Sequence, residues 1–150
     1  METTEKTTPI TYLPTLHHLV KDFSRVRYKT YSFDVTSSGQ VVNQDIRIDQ
    51  DIQRVLAIKV SSNRPDMAYF RGLLGIKLNQ REVFEENFEA RNLIAGPEVA
   101  PDASFTTIDR EAGSGNLVLR YTDENNPALA FPVGGYKVRV CLMCLTDDTV

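Results

Sequence analysis

Tyr136-Lys-Val-Arg-Val-Cys-Leu-Met-Cys-Leu145 is the stretch on which the fold turns. Successive side chains of an extended strand point to opposite faces, so Tyr136, Val138, Val140, Leu142 and Cys144 fall on one side. Cys141, Met143 and Leu145 make the other side apolar too. A strand apolar on both faces is covered on both. The second cover is the chain's own N-terminal helix or arm, or another subunit; left open, the row would be an association hazard.

The same period of two recurs upstream. Tyr31, Phe33 and Val35 alternate with Ser32 and Asp34. Val42, Ile46 and Ile48 share a face that only Gln44 interrupts. Leu56, Ile58 and Val60 alternate with Ala57 and Lys59, Leu74, Ile76 and Leu78 with Gly75 and Lys77, and Leu117, Leu119 and Tyr121 with Val118 and Arg120. Each run suits a half-buried antiparallel strand. Turn chemistry separates them: Ser37-Ser38-Gly39, Ser62-Asn63-Arg64-Pro65-Asp66, Gly96-Pro97, Gly113-Ser114-Gly115, Asp123 to Pro127, and Gly134-Gly135. With weaker runs at 88–95 and 104–108, about eight strands emerge. The expected fold is all-β: an antiparallel β-sandwich of the jelly-roll kind. No strand alternates with a long helix, which argues against a parallel α/β sheet.

Upstream of the strands, residues 1–14 read as a polar, Pro-interrupted arm. Thr15 can cap a short helix whose Leu16, Leu19, Val20 and Phe23 share one apolar face. Such a helix is marginal alone and must dock on something. The expected organisation is an arm with a short helix over 1–26 and a sandwich domain over 27–150, with little helix elsewhere.

The 150 residues, 25% charged and 41% hydrophobic, suit one soluble globular domain with a real core. A net charge of −3 argues against general affinity for nucleic acid. Residues 1–8 lack the pattern of a secretory signal, and the longest apolar run is far short of a membrane span.

Several residue groups invite chemical readings. Cys141 and Cys144 have C-x-x-C spacing, but inside a strand the two side chains point to opposite faces. They read as plain strand cysteines. His17 and His18 are the only histidines, and adjacent helical positions cannot easily share a metal. Asp49 and Asp51 can share a face near a strand end. Asp123-Glu124-Asn125-Asn126 forms an oxygen-rich loop that suits calcium or a simple turn. Glu85, Glu86 and Glu89 read as a solvated turn rather than paired catalytic carboxylates. Gly113-Ser114-Gly115-Asn116 lacks the lysine and helix of a phosphate loop. Tyr69 and Phe70, beside Arg64 and Arg71, read first as strand-end aromatics packed into the core, and second as a ligand site. No catalytic set, cofactor site or metal site is expected.

The stretch Tyr69-Phe-Arg-Gly-Leu-Leu-Gly-Ile-Lys-Leu-Asn-Gln-Arg-Glu-Val-Phe-Glu-Glu-Asn-Phe-Glu-Ala-Arg91, with the later Tyr136-Lys-Val-Arg-Val-Cys-Leu142, resembles small single-jelly-roll virion proteins of bacteriophages. That resemblance implies a capsid, vertex or decoration subunit, a virion location and an arm that reaches its neighbours. It carries over no functional residues. The expectation is therefore a non-enzymatic, self-associating structural protein. Its partners would be copies of itself and other structural subunits, and its candidate interface is Cys141, Met143, Leu145, Leu16 and Phe23. The alternative is a ligand- or carbohydrate-binding sandwich module, cytoplasmic and soluble.

Overall fold

The computed structural model describes residues 23–95, 104–113 and 115–146. A 3-10 turn, Phe23–Arg25, leads into β1 (Val26–Val35), β2 (Val41–Arg47) and β3 (Ile52–Ser62). Helix α1 (Pro65–Arg71) then precedes β4 (Gly72–Leu78) and β5 (Arg81–Phe84). A 3-10 turn at Ala90–Leu93 comes before β6 (Thr106–Glu111), β7 (Asn116–Asp123) and β8 (Tyr136–Thr146). Two four-stranded sheets form, ordered β1-β8-β3-β6 and β2-β7-β4-β5. Every pairing is antiparallel: β1 with β8, β2 with β7, β3 with β6 and β4 with β5, joined by β3–β8 and β4–β7. The first strand pairs with the last and the fourth with the fifth, which is a hairpin rolled up on itself, the jelly-roll wiring.

Alternation sets the inner faces. Phe33 and Val35 from β1, Val138, Val140, Leu142 and Cys144 from β8, and Ile58 and Val60 from β3 meet Leu74, Ile76, Leu117, Leu119 and Tyr121 of the other sheet. Interdigitated side chains from two such faces make the core of a sandwich.

Four local readings need correction. The face Leu56–Ile58–Val60 is broken by a bulge in β3, where the register shifts between Val55 and Ala57 against β8. An extra residue in one strand interrupts the strict alternation of faces. Val55 and Ile58 therefore face the main core, while Leu56 and Ala57 join a separate cluster with Met143. Second, residues 65–71 form a helix where the sequence predicts a turn and strand-end aromatics. Pro65 sits in its first turn, and Met67, Ala68 and Arg71 are its buried residues. Third, Tyr69 and Phe70 lie on the opposite side of that helix and are exposed, 42% and 54%. Fourth, the weak strand at 88–95 is replaced by the 3-10 turn, and the eighth strand is β5, set up by a two-residue hairpin turn. Asn79 and Gln80 both have positive φ, the signature of a type I′ turn. The predicted helix residues Leu16, Leu19 and Val20 lie outside the described residues, as do His17 and His18, and nothing is described of the Phe23 side chain.

The register also fixes the two ends of the sandwich. Val35 stands opposite Tyr136, Ser62 opposite Val138, Val41 opposite Thr122 and Gly72 opposite Asp123. The connections β1–β2, β3–β4 and β7–β8 therefore gather at one end. The β2–β3, β4–β5 and β6–β7 turns gather at the other, where β1 begins and β8 ends.

Candidate functional site

The outer face of the β1-β8-β3-β6 sheet divides into two halves. Lys137, Arg139, Cys141, Met143 and Leu145 point away from the core, opposite Asp34, Ser32, Thr30, Tyr28 and Val26 of β1. Near the start of β8 this face is polar: Lys137 Nζ lies 3.1 Å from Asp34, and Arg139 stands between Ser32 and Ser61. Near its end the face is apolar. Leu56, Ala57 and Met143 form a cluster with Val26, Phe105 and Leu145 packed against it. Met143 itself is buried within the chain, whereas Tyr28 is 56% exposed. Tyr28 and Phe105 are in ring contact, with centroids 5.9 Å apart. Lys59 Nζ lies 5.7 Å from the Phe105 centroid and marks the polar edge. Of the expected interface residues, Met143 and Leu145 belong to this apolar half. Cys141 sits at the boundary, between Thr30 and Lys59. Sequence periodicity does not link Tyr28, Leu56 and Phe105 to them, because the bulge and the β1–β8 register are tertiary facts.

The cysteines do lie on opposite faces. Cys144 is fully buried in the core, and burial pushes its thiol up to about 12; Cys141 is half-buried. A thiol raised this far is unreactive at neutral pH.

A polar network closes one end of the sandwich. Arg71 and Asp123 are both buried, and they pair fork to fork: Nε to Oδ1 at 3.0 Å and Nη2 to Oδ2 at 2.8 Å. Arg71 also donates to the Leu129 carbonyl and to Ser38 Oγ, and its guanidinium lies 5.4 Å from the Phe131 ring centroid. Tyr136 Oη donates to Asp123 Oδ1 at 2.6 Å, the Gly39 N–H donates to Oδ2, and the Tyr121 hydroxyl is 2.9 Å from that of Tyr136. One guanidinium thus ties the β1–β2, β3–β4 and β7–β8 connections together. Burial pushes the Asp123 carboxyl up, but the bonds from Arg71, Tyr136 and Gly39 outweigh it, and its pKa sits below the ordinary carboxylate range. Burial raises both tyrosine hydroxyls well above theirs.

This network answers the calcium reading of residues 123–126. Asp123 faces inward and already neutralises a guanidinium, while Asn125 Oδ1 accepts from Ser38 and Asn126 Oδ1 from the Ala128 N–H. Asp123 continues the inward register of Leu117, Leu119 and Tyr121, and that signal is present in the sequence. The other carboxylates are dispersed. Asp49 and Asp51 pair with Lys29 and Arg27, Glu86 with Arg120, and Glu89 with Arg91. Among the described residues no three His, Cys, Asp or Glu side chains gather as metal ligands, and no helix is long and apolar enough to cross a membrane.

Comparison with protein-family models, curated proteins and solved structures finds no match to this chain. Its reading rests on its own geometry.

Proposed function

We propose that this chain is a structural, self-associating subunit of the virion type, a capsid, vertex or decoration protein. The observation that carries the reading is the exposed Tyr28 ring beside half-buried Val26, Phe105 and Leu145 on the outer sheet face of a jelly-roll sandwich, over the buried Leu56, Ala57 and Met143. Interface centres are enriched in aromatics and Met and poor in Lys, with a polar rim, and this face has that layout. The occupant is a second copy, whose identical patch can meet this one across a twofold axis. The resemblance of residues 69–91 and 136–142 to phage jelly-roll proteins supports the same reading. Sedimentation equilibrium is the test. A symmetric oligomer that Tyr28→Asp dissociates, with the melting temperature kept, supports it; a monomer at all concentrations overturns it.

A binding module is the second reading. Tyr69 and Phe70 favour it, an exposed aromatic pair in edge contact with centroids 4.8 Å apart. Saturable binding of an oligosaccharide that Tyr69→Ala and Phe70→Ala abolish would support that reading over assembly.

A further inference from the structure

At the open end of the sandwich, a cavity of about 310 Å³ lies between the β4–β5 turn of one sheet and β6 of the other. Leu78, Asn79 and Arg81 line one side, and Arg54, Asp109, Arg110, Glu111 and Gly113 the other. Glycine lets the two turns approach: a Cβ on Gly115 would stand 2.4 Å from Asn79 Oδ1. Asn79 N–H donates to the Asn116 carbonyl at 2.9 Å and fixes that approach.

The three arginines differ in what holds them. Arg54 donates Nε to Asp109 Oδ1 at 2.7 Å and Nη2 to the Asp109 carbonyl at 3.0 Å. Asp109 has φ of +44°, a left-handed conformation inside a strand, and Arg54 clamps it there. Strain of this kind collects at binding sites, where the surroundings over-determine it. Arg81 and Arg110 are exposed, line the same cavity, and have no hydrogen-bond or ion-pair partner among the described residues. With Asp109 neutralised by Arg54, the remaining charges are Arg81 and Arg110 against Glu111, a net positive cavity in a chain of net charge −3.

We propose that this cavity is an oxyanion site that takes a small phosphate or dicarboxylate between the guanidinium forks of Arg81 and Arg110. A guanidinium presents paired N–H donors at the spacing of carboxylate and phosphate oxygens, so two unpaired arginines lining one cavity suit a dianion. Arg54, already engaged, serves as the fixed wall.

Titration of the full chain by NMR, observing arginine Nε–Hε resonances, is the test. Inorganic phosphate and succinate are the probes, and sodium chloride at matched ionic strength is the control. Saturable shifts at Arg81 and Arg110 with phosphate, succinate or both, and none with chloride, are expected. Arg81→Ala or Arg110→Ala should weaken binding at least about tenfold, the scale of losing a charge-assisted bidentate contact. Arg91→Ala, away from the cavity, should leave it unchanged. Both arginines are exposed, so melting temperatures should match the parent and separate lost binding from lost fold. Absence of saturable shifts, or equal affinity in the doubly substituted chain, overturns the site.

Discussion

The two faces of β8 share one backbone but differ in chemistry and in burial. The inner face runs from Tyr136, bonded to Asp123, through Val138, Val140 and Leu142 to Cys144, and every one of these side chains is buried against the opposite sheet. The outer face begins with Lys137 and Arg139 and turns apolar only at Met143 and Leu145. Inward, apolar residues make one domain hold together. Outward, Leu56, Ala57 and Met143 form a smaller buried cluster with Tyr28 exposed beside it. The distinction is physical. Burial of apolar area contributes roughly 25 cal/mol per Å² wherever it occurs, and the inner face holds far more of it.

Substitutions should separate the two faces by where the free energy is lost. The largest loss is expected at the polar end of the inner face. Asp123→Ala leaves the Arg71 guanidinium buried without its counter-charge, which costs about 3–5 kcal/mol; urea denaturation should register it as an early midpoint with unchanged slope. Leu142→Ala removes a core side chain and leaves a cavity, at about 3 kcal/mol. The same denaturation series checks it, and a loss under about 1 kcal/mol would mean that the inner face is less tightly packed than its burial implies.

Acid should act on the same end. The folded pKa of Asp123 is depressed, so its contribution is present in full above the unfolded carboxylate value of about 3.9. It is lost as pH falls below that value through the folded one. Stability measured from pH 6 down to 2 should therefore drop below about pH 4, and the drop should be smaller in Asp123→Asn, which has no carboxyl to protonate.

A chemical probe discriminates the faces without touching stability. A thiol reagent at pH 8 should modify Cys141 and spare Cys144, whose thiol is buried and raised to about 12. Mass spectrometry of the native chain should find one label. Two labels before unfolding would mean that the inner face opens.

Much of this layout is written in period two. The inward faces of β1, β4, β7 and β8 can be read directly from Phe33, Leu74, Leu117 and Val138 with their neighbours at i+2, and that of β2 from Val42 and Ile46 despite Gln44 between them. The failures have identifiable causes. Val55-Leu56-Ala57-Ile58 is apolar throughout, so no alternation betrays the bulge that sends Leu56 outward. Asn79-Gln80 adopts a hairpin turn without glycine, so β5 lacks its usual marker. Helix α1 is seven residues long, too short for periodicity, and its one signal, Pro65, reads equally well as a turn. Arg71 is least legible of all. A buried arginine depends on a carboxylate 52 residues away, and only the packing of the ends brings Asp123 to it.

The smallest expected effect on stability belongs to the outer face, where mass rather than melting temperature should change. Tyr28 is the residue to change, because it is exposed in the single chain while Met143 is already buried. Sedimentation equilibrium of the parent chain and of Tyr28→Asp, with thermal melting of both, is the measurement. The parent should be a symmetric oligomer, and the variant should have a lower mass at a nearly unchanged melting temperature. A parent that stays monomeric, or a variant that keeps its mass, would contradict self-association through this face. A variant that loses a few kcal/mol as a monomer would show that the chain covers this face itself.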